Sequence, residues 1–184
     1  MPHVPRNWIP NVHYHIISRS NRKDALFKNE ADYEFFIFLL EETSKKHPFK
    51  IASYILMRTH FHLLLHSETI DYSQIMYHIK KKYATYFNKK YNQRGHLFDK
   101  RYSAKPATST RTLLFMSRYI HYNPVEINLV KRPEDYRWSS FPVLLKTDGT
   151  NQLPDYINFN PLFQQFRGNI EERKREYVYW CKFH

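Results

Sequence analysis

Over residues 12–19 the chain alternates branched or aromatic side chains with polar ones (VHYHIISR) and then enters a polar Ser-Asn-Arg-Lys-Asp stretch, a period of two that predicts a first strand. The period then lengthens. Across residues 31–46, Tyr33, Phe36, Ile37, Leu40 and Thr43 recur at three-to-four spacing, acids come early, and Lys45, Lys46 and His47 close the pattern before Pro48, which predicts a helix. Residues 49–58 and 59–67 read as two further strands, and the short break around Arg58 and Thr59 favours a tight hairpin over one long bent strand. From Asp71 to about Tyr91 the apolar positions return to helical spacing, with Lys80, Lys81, Lys82, Lys89 and Lys90 on the remaining surface. Residues 101–106 predict a short strand. A helix capped by Ser109 or Thr110 follows and is expected to end at Pro124.

Strand, helix, strand, strand, helix, strand is the order of a ferredoxin-like α+β fold, an antiparallel sheet with helices on one face, here with an added C-terminal helix. Residues 1–145 are expected to form this domain. Residues 146–184 are expected to pack on it or continue it, with a linker at 148–151 and a short helical end around Glu171 to Arg175.

Composition narrows the chemistry. The 184 residues carry 29 Lys plus Arg against 17 Asp plus Glu, a formal charge of +12, with 17% aromatic side chains and a pI near 9.7. A basic, aromatic-rich chain favours a polyanion whose bases can stack over an acidic protein or a membrane surface. The three glycines, Gly95, Gly149 and Gly168, stand too far apart to build a phosphate-cradling loop, so nucleoside-triphosphate and dinucleotide chemistry lose their usual support. A single cysteine, Cys181, excludes an internal disulfide and a multi-thiolate zinc site. With prolines and Trp8 where a signal peptide needs an apolar core, and no apolar run long enough to span a bilayer, the expectation is a cytoplasmic protein without membrane attachment.

On the third strand, period two places His60, His62, Leu64 and His66 on one face and Phe61, Leu63 and Leu65 on the other. Two imidazoles one residue apart can converge on a divalent ion, but a solvated strand face carrying histidine fits the pattern equally well. His13 and His15 on the first strand form a rival pair, and neighbouring first and third strands would turn both pairs to one surface. Neither pair is followed by the aspartate that metallo-hydrolase or facial-triad motifs require. In the helix before Pro124, Tyr119 and Asn123 stand four apart and point to the same side. A tyrosine, with an ordinary pKa of about 10, needs a nearby cation or base to act as a nucleophile.

These features occur with others in one order: Tyr14-His15-Ile16, the run from Ala52 through His60-Phe61-His62 to Leu64, Gly95-His96-Leu97-Phe98-Asp99-Lys100-Arg101-Tyr102, Arg118-Tyr119-Ile120-His121-Tyr122-Asn123-Pro124-Val125, and Tyr136-Arg137-Trp138-Ser139-Ser140. The sequence thereby resembles the REP-associated tyrosine transposases, an IS200-like branch of the single-tyrosine HUH endonucleases, over residues 6–145. The resemblance implies a DNA transposase that cuts and rejoins hairpin-flanked single-stranded DNA through a 5′-phosphotyrosine. Carried over, His60 and His62 match the histidine pair, Tyr119 the nucleophile, and Asn123 the polar residue completing a site for Mg²⁺ or Mn²⁺. Thr59 stands where the family often has Asn and is expected to stay clear of the chemistry. Lys80, Lys81, Lys82, Arg94, His96, Phe98, Lys100, Arg101, Tyr102 and Lys105 are the expected DNA-binding residues, and a homodimer is allowed. The alternative is a ferredoxin-like protein that binds single-stranded nucleic acid without cutting it.

Overall fold

A computed structural model describes residues 8–21, 24–99, 101–146 and 153–184; Lys100 and the linker expected at 148–151 lie outside them. Strand β1 is His13–Arg19, followed by helix α1 (Glu30–Lys46), strands β2 (Lys50–Met57) and β3 (His60–His66), helix α2 (Tyr72–Lys90), strand β4 (Ser103–Pro106) and helix α3 (Thr110–Glu126). A 3₁₀ turn at Pro133–Asp135 leads to α4 (Ser140–Lys146), α5 (Asn160–Phe163) and α6 (Ile170–Phe183). Local chemistry sets the helix starts. Asn29 and Asp32 form a reciprocal capping box on α1, Asp71 accepts from Ser73 N at the head of α2, and Ser109, rather than Thr110, caps α3 through Thr112 N.

The sheet is antiparallel in the order β2-β3-β1-β4, the ferredoxin-like arrangement expected from the chain order. Only two residues, Arg58 and Thr59, join β2 to β3, so the tight hairpin is realised. The two sheet faces bury different chemistry. Phe61, on one face, meets Phe36 of α1 at 4.7 Å between ring centroids, and Phe36 meets Tyr83 of α2 at 5.2 Å. All three are fully buried, each contributing about 1.5–3 kcal/mol through burial. The opposite face is covered by α3, whose Ser117 hydroxyl bonds Ser53 of β2 and whose Tyr119 ring lies against His62.

Two expectations are corrected. Pro124 does not end α3, which continues to Glu126. A proline removes one N–H and crowds one carbonyl, a loss tolerated in the last turn, where Asn128 in the left-handed region (φ 57°) donates to Val125 O and closes the helix. The C-terminal segment also holds more than a short helical end. α6 is 14 residues long, and Tyr156, Phe159, Leu162, Phe163, Tyr177 and Cys181 are all buried. Their apolar side chains are spaced through a polar sequence, which concealed them. No helix among the described residues is long and apolar enough to cross a membrane.

Candidate active site

The β1–β3 register pairs Ile17 with His62 and Arg19 with His60, so residues 13, 15, 17 and 19 share a face with residues 60, 62, 64 and 66. Both histidine pairs therefore meet on one surface. It is not a solvated one: His62 is fully buried and His15 nearly so. His15 Nε2 lies 2.8 Å from His62 Nδ1, while His62 Nε2 is buried with no hydrogen-bond partner. The His60 and His62 rings are 5.0 Å apart, edge to face. Thr59 Oγ1 sits 3.1 Å from His60 Nδ1, so this residue, expected to stand clear, touches the candidate site directly.

Tyr119 comes to the same place from α3, its ring 5.6 Å from that of His62 and 5.8 Å from that of His15, and it remains 40% exposed. The placement follows from how α3 is seated. Ser117 bonds Ser53 on β2 and Tyr177 on α6, His121 bonds Tyr177 and Ser140, and Tyr119 lies between these two anchors on the helix side turned to the histidines. Asn123, one turn further along, is 7% exposed. Tyr122 turns elsewhere, to Phe141 and the Arg118 guanidinium.

Electrostatics keep the imidazoles neutral. Burial, reinforced by the Arg19 charge, pushes His60 down to about 4; burial, then the neighbouring His15, His60 and Arg19, pushes His62 down to about 2. Unprotonated imidazoles near neutral pH keep a nitrogen lone pair available to a cation. Filling the orphaned His62 Nε2 would also relieve a buried polar atom whose isolation costs about 1–3 kcal/mol. Among the described residues no group of three or more His, Cys, Asp or Glu is set to hold a metal. An ion here would rest on two imidazoles and neutral oxygen donors, a set that the carboxamide of Asn123 suits.

The expected DNA-binding residues separate into groups. Lys80, Lys81, His96, Phe98, Arg101 and Tyr102 line one groove of about 880 Å³ between α2 and the segment entering β4. Lys80 Nζ stands 4.4 Å over the Phe98 ring, and Lys81 donates to Tyr77. Tyr102 is only 8% exposed and packs edge-on to Tyr72, so it shapes the groove instead of offering a stacking face. Arg94 and His96 border a neighbouring hollow of about 760 Å³ with Lys28 and Arg58, two basic residues outside the expected DNA-binding set. Lys105 pairs with His15 across β4 and β1 and so stands on the histidine face. Lys82 does not join the groove; it lies towards Glu42 and His78, on the α1 side of α2. Lys90 is engaged by the buried Asp32 carboxylate.

Comparison with known proteins agrees with this architecture. A REP-associated tyrosine transposase solved bound to a REP hairpin superposes with a TM-score of 0.70, covering 92% of this chain and 93% of that one at 18% identity. A solved chain from Deinococcus radiodurans R1 aligns more loosely, at TM-score 0.46 and 16% identity, over 65% of this chain and 95% of its own. No curated protein matches. The family model described as Transposase IS200 like matches residues 9–123, which hold β1, both histidine pairs, Tyr119 and Asn123, and the chain therefore belongs to the IS200-like transposase family.

Proposed function

We propose that this protein cleaves and rejoins hairpin-flanked single-stranded DNA, with Tyr119 as the nucleophile and His60, His62 and Asn123 as the holders of Mg²⁺ or Mn²⁺. The observation that carries the reading is the exposed Tyr119 ring lying 5.6 Å from His62, whose Nε2 is buried and unpartnered. A divalent ion bound there would supply positive charge for the phosphate oxygens and for the leaving 3′ oxygen. The chain's residues do the rest. α3 presents the Tyr119 hydroxyl to the phosphorus; the P–Oη bond forms as the P–O3′ bond breaks, the phenol gives up its proton and the 3′ oxygen takes one. The product is a 5′-phosphotyrosine and a free 3′-OH. Because the phosphodiester energy stays in that link, attack by another 3′-OH reverses the step without ATP, which suits a chain with no nucleotide loop.

The hairpin is inferred as the DNA partner because the fold matches a transposase solved with one. Lys80, Lys81, Arg101 and Lys105 would neutralise backbone phosphates, and His96 and Phe98 would border the bases. The test is incubation of end-labelled hairpin-flanked single-stranded DNA with Mn²⁺ or Mg²⁺, followed by denaturing electrophoresis. Wild type should give a covalent protein–DNA adduct that EDTA and Tyr119→Phe both abolish. Binding of the DNA by wild type without any adduct would leave only the non-catalytic binding role.

A further inference from the structure

The chemistry proposed above gives His15 no part, yet it meets His62 nitrogen to nitrogen at hydrogen-bond distance. His15 Nε2 and His62 Nδ1 are 2.8 Å apart in a buried setting. A contact of this length between two neutral imidazoles holds one proton, so one ring donates and the other accepts. Were His15 the donor, His62 would carry its own proton on Nε2, and a buried N–H would stand without an acceptor. Among backbone groups in folded proteins a buried N–H is left orphaned more rarely than a carbonyl acceptor, and the same preference favours the opposite assignment here. With His62 donating from Nδ1, Nε2 keeps a bare lone pair, and His15 Nδ1 is not among the buried atoms left unpartnered.

We propose that His15 is a positioning residue that accepts the Nδ1 proton of His62, fixes that ring in the Nδ1–H tautomer and thereby keeps Nε2 ready to bind a divalent cation. Its own Nε2 is committed to the far side of the His62 ring, so it acts through His62 and is not itself a ligand. The inference rests on the metal reading only in naming what Nε2 binds; the tautomer does not depend on it.

The experiment is long-range ¹H–¹⁵N NMR on metal-free protein with ¹⁵N-labelled histidine at neutral pH, joined to Mn²⁺ titration followed by electron paramagnetic resonance. In wild type, His62 should be protonated on Nδ1. His15→Phe should move it to the Nε2–H form and weaken Mn²⁺ binding about 10–100-fold. His15→Gln, whose amide oxygen can accept the same proton, should retain the Nδ1–H form and most of the affinity. Finding His62 as the Nε2–H tautomer in wild type, or unchanged in His15→Phe, overturns the proposal. Should His15→Phe fail to fold, the wild-type and His15→Gln spectra decide. If wild type and His62→Ala bind Mn²⁺ equally poorly, the metal reading falls, and the tautomer still judges His15 separately.

Discussion

Removing a single hydroxyl from α6 should loosen the helix that carries Tyr119. Tyr177 is fully buried, 2.6 Å from Ser117 Oγ and 3.1 Å from His121 Nδ1, and His121 Nε2 continues to Ser140 Oγ at 2.9 Å. Each group in this chain carries one proton, so the run goes from Ser117 towards Ser140 or the reverse, and in either direction Tyr177 links Ser117 to His121 and both ring nitrogens of His121 are used. Burial pushes His121 down to about 3, so the ring is neutral, with one nitrogen donating and the other accepting. In Tyr177→Phe the buried His121 Nδ1 loses its partner, at about 1–3 kcal/mol, while Ser117 keeps only Ser53 and loses a bond of about 1 kcal/mol. The sum is about 3 kcal/mol, or about 6–12 °C in Tm for a chain of this size. Urea unfolding and calorimetry measure it, with Tyr179→Phe as the control, since Tyr179 is 64% exposed on the same helix and should change little. Ser117 and His121 flank Tyr119 by two residues on either side, so adduct formation should fall as well. A Tyr177→Phe protein within about 0.5 kcal/mol of wild type, indistinguishable from Tyr179→Phe, would refute the argument that this network seats α3.

Two further outcomes are expected. Asp32 is fully buried; burial favours its neutral form, but Lys90, Tyr91 and the backbone N–H groups of Lys28 and Asn29 outweigh that and hold its pKa below the ordinary value of 3.8. Asp32→Asn removes one partner of a buried pair, and because Lys90 keeps 28% exposure the loss should sit near the low end of the usual range, about 3 kcal/mol at pH 7. A depressed carboxyl pKa gives stability that is full above the unfolded-state value and is lost as pH falls from there through the lower folded-state value, so the gap in urea stability between wild type and Asp32→Asn should begin to close below about pH 4. Parallel curves down to pH 2 would contradict this. For DNA, Lys80→Ala and Lys81→Ala should each lower the salt dependence of hairpin binding by about one counterion, whereas Lys82→Ala, facing α1, should barely change it. Equal effects from all three would mean that the groove is not the DNA path.

The alternation of 59–67, the two-residue break at Arg58 and Thr59 and the helical spacing of 71–91 were all legible, because each is a local pattern that tertiary packing reinforces. The faces of the sheet were legible as well. What covers the histidine face was not: the same alternation that separates Phe61 from His62 says nothing about which helix lies on which face, and a buried His62 reads in sequence like a solvated one. Lys80, Lys81 and Lys82 form one run, yet successive helix positions turn by 100°, so the third points to α1. The core residues of 153–184 were hidden because the buried aromatics Tyr156, Phe159, Phe163 and Tyr177, set among Asn, Gln and Arg, leave no continuous period. His15 was visible as one of a rival pair that could face the same surface; the 2.8 Å nitrogen-to-nitrogen contact that joins it to His62 was not.

That register also reconciles a basic surface with a cation site. Arg19 stands opposite His60 and Lys105 opposite His15, and both charges act on the imidazoles. Each pushes its partner's pKa further below the value that burial sets, with His15 brought to about 4. A positive charge beside an imidazole penalises the imidazolium and leaves the neutral ring untouched, while the same charge attracts a phosphodiester. Had carboxylates stood opposite these histidines, they would have raised the imidazole pKa values towards neutrality and repelled DNA. Arg19 and Lys105 thus keep the nitrogen lone pairs unprotonated and hold a positive field that attracts a phosphodiester. The same charges oppose a divalent cation, so under the proposed chemistry the ion would bind best together with the phosphate whose negative charge offsets them.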